Sequence, residues 1–275
     1  MALNGQKTSN FELYKPSLQD SPPDITSTNE NWDKIDTELK RLGDVGLPAN
    51  INKKLPTAIT TMEVMDVYVS PTGNDTATGT STAPLKNIST VIARFGGVRR
   101  LVIHLNAGTY TETNAIEVSG CTSVEMVVVS GTAIVTTPYV QYGGYFTANG
   151  VSFHSSTTET RDALTFNGVS VNIDGCSFIN KNTAVVFRNG SVGLVVNSTF
   201  TNCGRAIWSL NGSFVSAQNI SGLGNTEAYR TTSGAITVGT STIEATTLAA
   251  KYGGGVIFRN GNLIGTTANT FVNAT

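Results

Sequence analysis

The stretch 163–212, ALTFNGVSVNIDGCSFINKNTAVVFRNGSVGLVVNSTFTNCGRAIWSLNG, repeats with a constant period. Three Asn-Gly pairs mark the period, with their glycines evenly spaced at Gly168, Gly190 and Gly212. A fixed period of this length is typical of a solenoid, in which each repeat buries its apolar face against its neighbours. Asn and Gly tolerate positive φ, so each pair favours a tight corner between two short strands.

Short apolar runs and regularly placed phenylalanines support the same interpretation. Phe178 and Phe200 are separated by the same period as the glycines, and Phe153 extends the series with a slightly longer step. Strand-length runs such as Ala163–Phe166 and Ala184–Phe187 precede the Asn-Gly pairs. The density of Gly, Asn and Thr excludes long helices. We therefore predict an all-β chain built as a parallel β-helix, in which strands stack about 4.8 Å apart.

The charged residues divide the chain into zones. Residues 1–66 hold 17 of the 37 charged side chains in under a quarter of the length. We predict that this zone is a separate N-terminal segment and that residues 67–250 form the β-helix. In residues 251–275 a triple Gly breaks the periodicity, and we expect a cap or a trimer contact there, because the end of a solenoid exposes unpaired strand edges.

One amphipathic helix is predicted in the N-terminal zone, over about residues 29–42. Its apolar side chains fall at helical spacing and form one stripe: Trp32, Ile35, Leu39 and Leu42. A helix this short is marginal alone in water and must bury its stripe. Packing within its own chain and self-association in a bundle, three-fold by preference, are both compatible with the stripe.

Composition excludes several classes of function. A formal net charge of −1 argues against a nucleic-acid binder, and no apolar run reaches the roughly 18 residues of a membrane helix. The start, Met1–Lys7, lacks a secretory signal, so we expect synthesis in the cytoplasm.

Cys176 and Cys203 are expected to be small core residues, and His104 and His154 to be packed or surface side chains. No cofactor or metal site is expected.

The N-terminal zone resembles a known family. The segments 10–16 (NFELYKP), 24–25 (DI) and 31–39 (NWDKIDTEL) are similar to the N-terminal part of tail-fibre proteins of phages and prophages. The resemblance covers roughly the first 45 residues. It implies attachment of this end to a baseplate protein, and it places the chain in a virion or phage-tail-like particle that is assembled in the bacterial cytoplasm and released.

The start of the second zone resembles a different group. Residues 68–84 fit the order Y-V-S-x-x-G-N-D-x-x-x-G-T-x-x-x-P, and residues 108–112 read G-T-Y-x-E. This order is similar to the opening of pectin-lyase-like right-handed parallel β-helices, in which a short helix closes the end of the solenoid. The resemblance is specific for the fold and not for an activity, because enzymes and inert fibres both use this fold.

Acidic residues are sparse in the β-helix zone. Glycan hydrolases need two carboxylates at one site, one to donate a proton and one to stabilise or attack. Glu159 and Asp162, on either side of Arg161, are the best candidates for such a pair, but a solvated loop accounts for them, and we predict no catalytic residues. Asp75 and Asp174 are expected to be turn residues. A site built between subunits stays open as an alternative.

Aromatic and amide side chains offer a glycan-binding surface instead. The candidates are Tyr139, Gln141, Tyr142, Tyr145 and Trp208, with core packing or a subunit contact as the alternative for several of them. Strict strand alternation places Tyr139 and Gln141 on one face and Tyr142 on the other, so the set cannot share one surface.

These observations favour a structural tail-fibre or receptor-binding protein, a trimer that attaches a phage-like particle to bacterial surface polysaccharide. The alternative is a tailspike-type polysaccharide depolymerase, either a lyase or a hydrolase, which would need a concentrated acidic groove. A bacterial surface adhesin is disfavoured because no signal sequence is seen.

Overall fold

A computed structural model describes most of the second zone of the chain. The described residues are 64–119, 123–157, 160–259 and 271–273, all within the unit Thr60–Thr275. They form twenty-two strands and one helix, α1 (Ile88–Phe95). The predicted N-terminal helix and its apolar stripe lie outside the described residues.

The strands form three stacks. The first contains β1 (Val64–Val69), β2 (Arg100–Leu105), β5 (Ser123–Val128), β8 (Tyr145–Asn149), β11 (Ser170–Asp174), β14 (Val192–Val196), β17 (Phe214–Gln218), β19 (Ala235–Val238) and β21 (Val256–Arg259). The second contains β3 (Gly108–Tyr110), β6 (Ala133–Val135), β9 (Ser152–His154), β12 (Ser177–Ile179), β15 (Thr199–Thr201) and the start of β18 (Ile220–Thr232). The third contains β4 (Ile116–Ser119), β7 (Tyr139–Tyr142), β10 (Leu164–Asn167), β13 (Thr183–Arg188), β16 (Arg205–Leu210), the end of β18, most of β20 (Ser241–Tyr252) and β22 (Phe271–Asn273).

The chain visits the three stacks in turn, so each coil adds one strand to each stack. Every pair of these described strands is parallel, as for β2 with β5, β12 with β15 and β10 with β13. The predicted fold class, an all-β parallel β-helix, is confirmed by this strand pairing.

The interior is filled by ladders of like side chains. Phe153, Phe178 and Phe200 are fully buried and lie in register on β9, β12 and β15. Their rings are stacked, with centroids 5.2 Å apart for the first pair and 4.9 Å for the second. The regular placement of these phenylalanines in the sequence therefore corresponds to successive coils, as predicted.

The Asn-Gly pairs lie at the corner between the third and first stacks. Asn189 and Asn211 have φ of 54° and 53°, and Gly190 has φ of 77°, so the predicted positive φ is confirmed. The amide of Asn189 donates to the Oδ1 atom of Asn167 at 3.1 Å, and Asn211 donates to Asn189 at the same distance. This side-chain ladder ties consecutive corners together.

Helix α1 lies at the N-terminal end of the solenoid, where it contacts β1, β2 and β4 and buries Ile88 and Val91. Glu112, the last residue of the G-T-Y-x-E motif, accepts hydrogen bonds from the backbone N–H groups of Ile88 at 2.7 Å and Ser89 at 3.1 Å. These are orphan donors of the first turn. The short helix implied by the resemblance is present, and the last residue of the motif caps it, a role that the sequence did not predict.

Asp75 also serves this helix. Its carboxylate accepts hydrogen bonds from the backbone N–H groups of Lys86 and Asn87 at 3.0 and 2.9 Å, and from the Asn87 side chain. Burial acts to raise the pKa of Asp75, but the hydrogen bonds from Asn87 and Lys86 outweigh it and lower the pKa. The predicted turn role is confirmed.

Described parts of the C-terminal segment extend the strand stacks. β21 pairs with β19 and β22 pairs with β20, and the predicted cap or trimer contact stays a prediction. Gly253 and Gly254 have φ of 53° and 77°, which reproduces the corner made elsewhere by Asn189 and Gly190. The triple Gly is thus a corner, and residues 260–270 lie outside the described part.

Candidate functional site

Outward side chains of the third stack form two columns. Strand register places Val140, Thr165, Val186, Trp208 and Arg230 in the first column, and Tyr142, Asn167 and Arg188 in the second. Val186 is fully buried although it lies outside the central hydrophobic cluster. Something on the outer surface must therefore cover it.

Trp208 is the next residue in this column, and a set of arginines lies around its ring. The arginine–tryptophan cluster, as we define it, contains Asp162, Arg188, Arg205, Trp208, Glu227, Arg230 and Tyr252. The guanidinium carbons of Arg205 and Arg230 each lie 5.0 Å from the centroid of the Trp208 ring system, and that of Arg188 lies at 6.0 Å. Arg230 also lies 4.4 Å from the Tyr252 ring. These are cation–π distances.

Glu227 forms ion pairs with two of the three arginines. Its Oε2 atom accepts a hydrogen bond from Nε of Arg205 at 3.1 Å and from Nη1 of Arg230 at 3.3 Å. The three side chains are 15–28% exposed, so the ion pairs are shielded from solvent more than ordinary surface pairs. The indole N–H of Trp208 donates to the hydroxyl of Thr232 at 3.2 Å, which fixes the ring orientation.

Asp162 lies beside the third arginine. Its Oδ2 atom is 3.9 Å from Nη2 of Arg188, and its Oδ1 atom accepts a hydrogen bond from the amide of Asn182 at 3.0 Å. Its predicted partner Glu159 lies outside the described residues, so the acid pair stays a prediction. Asp162 itself helps to hold the cluster.

The structure separates the predicted glycan-binding residues. Tyr139 and Gln141 are buried, and the Tyr139 hydroxyl donates to Oε1 of Gln141 at 2.6 Å inside the solenoid. Their assignment to a binding surface is therefore wrong, because strand alternation turns both inward. Tyr142 is 50% exposed on the third stack and Tyr145 is 42% exposed on the first. Trp208 is half-buried on the third stack.

Tyr142 and Trp208 share the third stack, but three strand steps separate them, or roughly 14 Å at the usual strand spacing. Tyr145 follows the Gly143–Gly144 corner and faces away with the first stack. Of the predicted set, Trp208 is thus the residue with a developed polar environment.

Sequence reasoning missed the arginines of the cluster, although a signal was present. The separation of Arg205 from Glu227, and of Trp208 from Arg230, equals that of Gly168 from Gly190. Because this separation is one period of the solenoid, it places the members of each pair on neighbouring strands.

Apart from this cluster, a groove lies on the outer face of the second stack. It is a groove of about 520 Å³ lined mainly by hydroxyl groups, with His154 and Arg161 at its edge. The other histidine, His104, lies on the first stack, 2.7 Å from Asp66 and stacked on Tyr68 at 4.5 Å. Both histidines therefore lie at or near the surface, as expected.

The two described cysteines are core residues, as predicted. Each is 1% exposed. Burial raises the pKa of Cys176 to about 12 and that of Cys203 to about 11. Neither is a candidate nucleophile, because the thiolate is the reactive form.

Within the part of the chain that the structure describes, no cluster of three or more His, Cys, Asp or Glu side chains could hold a metal ion. The helix described here is too short to cross a bilayer.

Comparisons with known proteins leave the family open. No protein-family model matches the sequence, and no curated protein matches it. One solved structure, described as a rhamnogalacturonan lyase, is similar with a TM-score of 0.34 and 12% sequence identity, over 70% of this chain and 72% of that chain. So low a score assigns no activity, and the fold rests on the strand pairing given above.

Proposed function

We propose that this chain is a non-catalytic fibre subunit of a phage or phage-like particle and that the outer face of its third stack attaches to bacterial surface glycan. A parallel β-helix of this type is compatible with polysaccharide binding and with depolymerisation. The observation that carries the proposal is the half-buried ring of Trp208 surrounded by three guanidinium groups on an outer strand face.

The chemistry of this cluster suits a sugar. The apolar face of a pyranose can pack against an aromatic ring, and its hydroxyl groups need donors and acceptors nearby. Arg188 supplies N–H donors beside Trp208, and the Thr232 hydroxyl lies at the edge of the ring. The ring is held in place by its neighbours, which lowers the entropy cost of binding.

The other parts of the proposal rest on the sequence. The N-terminal resemblance supports attachment to a baseplate protein and location in a released particle. The stripe of Trp32, Ile35, Leu39 and Leu42 supports trimer formation.

A retention experiment tests glycan attachment. Envelope polysaccharide from the host strain is immobilised, and the retained fraction of protein is compared for the unmodified chain, Trp208→Ala and Phe214→Ala. Phe214 is a matched control, because it is 41% exposed but lies on the first stack. We expect loss of retention for Trp208→Ala alone. Equal loss in both variants, or in neither, contradicts the proposed site.

The same polysaccharide distinguishes a fibre from a depolymerase. Its chain length is measured by size-exclusion chromatography after incubation with the protein. We expect an unchanged chain length. Shortening of the polymer would establish the depolymerase alternative and direct attention to Glu159 and Asp162.

The trimer is tested by replacing Ile35 and Leu39 with Asp. We expect the mass measured by light scattering to fall from that of a trimer to that of a monomer, because charge in the stripe prevents its burial. An unchanged mass contradicts the helix-bundle part of the proposal.

A further inference from the structure

We propose that Arg188 makes the third-stack site selective for glycans that carry an anionic group, either a carboxylate or a phosphate ester. The inference rests on the proposed function, because it assigns a ligand chemistry to the same site. It arises from the unequal way in which the three arginines of the cluster are paired.

Arg205 and Arg230 are committed to protein partners. Both donate to the Glu227 carboxylate, at 3.1 and 3.3 Å. Arg230 is additionally covered by Tyr252, 4.4 Å from its guanidinium carbon. Their side chains are 28% and 20% exposed. These two residues hold Trp208 in place and have little capacity left for a ligand.

Arg188 is paired loosely. Its nearest carboxylate oxygen, on Asp162, is 3.9 Å away, too far for a hydrogen bond. Its Nε atom, like that of Arg230, is buried without a hydrogen-bond partner among the described residues. Its side chain is the most exposed of the three at 37%, so its guanidinium is the one that an arriving acceptor can reach and pair with.

The charge balance points the same way. Three guanidinium groups face two carboxylates, those of Glu227 and Asp162, and Asp162 also accepts a hydrogen bond from Asn182. The cluster therefore carries one excess positive charge, spread over three guanidinium groups that all lie within 6.0 Å of the Trp208 ring centroid. A guanidinium presents parallel N–H groups that match a carboxylate or phosphate.

The position of Arg188 relative to Trp208 fits one sugar unit. Its guanidinium carbon lies 6.0 Å from the Trp208 ring centroid, so a pyranose packed on the ring would bring an acidic substituent within reach of the guanidinium. Thus Trp208 would bind the ring of the sugar and Arg188 its charge.

The test compares envelope polysaccharide in three forms: untreated, carboxyl-reduced and dephosphorylated. Retention is measured for the unmodified chain, Arg188→Gln, Arg188→Lys and Arg100→Gln. Arg100 is the matched control, an arginine on the first stack paired with Glu125 and 50% exposed. Thermal unfolding of each variant checks that the fold is intact. Arg188→Lys keeps the charge should the Gln variant fail to fold, because Arg188 packs beside Trp208.

We expect the dissociation constant of Arg188→Gln for untreated glycan to rise roughly 10- to 100-fold, as for loss of a charge-assisted hydrogen bond. Arg188→Lys should fall between it and the unmodified chain, and Arg100→Gln should match the latter. The treatment that weakens binding of the unmodified chain identifies carboxylate or phosphate as the recognised group.

The outcomes separate the two proposals. If the unmodified chain retains untreated, carboxyl-reduced and dephosphorylated glycan equally, or if Arg188→Gln binds like the unmodified chain, the selectivity is refuted while glycan attachment stands. If the unmodified chain retains no form of the glycan, the proposed function fails, and the inference fails with it.

Discussion

Replacing Glu227 with Gln tests whether the arginine–tryptophan cluster is a structural unit. The carboxylate accepts hydrogen bonds from Arg205 and Arg230. A hydrogen bond to a charged group contributes about 1.5–3 kcal/mol and a neutral one about 0.5–1.5 kcal/mol. Neutralising two such bonds at partly exposed positions therefore lowers the free energy of unfolding by about 2 kcal/mol, since solvent reduces the full difference.

The assay is thermal unfolding followed by circular dichroism. A loss of about 2 kcal/mol corresponds to a fall in Tm of about 4–8 °C for a chain of this size. Glu125→Gln is the matched control, because Glu125 pairs with the half-exposed Arg100 on the first stack. Its Tm should change by less than about 2 °C. If the two variants unfold at the same temperature, the cluster adds no more than an ordinary surface ion pair, and the reasoning is refuted.

Three further predictions concern the solenoid itself. Glu112→Ala should lower the free energy of unfolding by about 1–2 kcal/mol in a denaturant titration, because α1 loses its N-terminal cap; an unchanged midpoint contradicts this role. Gly193→Ala places a Cβ 2.1 Å from the ring of Phe187 and should cost about 1–3 kcal/mol in the same assay, whereas unchanged stability contradicts the packing. Cys176 and Cys203 have raised pKa values, so their burial stabilises the fold below pH 9, and this stability is lost as pH rises through about 11 to 12. Tm should accordingly fall above pH 9, and peptide mapping after thiol labelling at pH 8 should find neither residue modified; labelling of the native protein contradicts the burial.

The sequence was sufficient for the fold because its constant period has a direct physical meaning, one coil of the solenoid. Each Asn-Gly pair had to be a corner, as Asn189 and Gly190 are, and each ladder phenylalanine had to meet its equivalent on the next coil. The closing helix followed from the resemblance, whereas its capping by Glu112 is visible only in the structure.

The site was harder to predict because it depends on which side of a strand faces outward. Alternation separated Tyr139 from Tyr142, but only the packed coil shows that Tyr139 is the buried one. The arginine–tryptophan cluster also depends on side-chain reach. Val186 is fully buried although it lies in an outward column of the third stack, and no period in the sequence predicts this.

The fluorescence of Trp208 tests most directly whether glycan binds at this side chain. The chain has two tryptophans, Trp32 and Trp208, so Trp32→Phe leaves Trp208 as the sole reporter. Titration of this variant with envelope polysaccharide should shift or quench the emission with the same saturation that the retention assay gives. Retention of the glycan without any change in emission would place the binding site elsewhere and contradict the account.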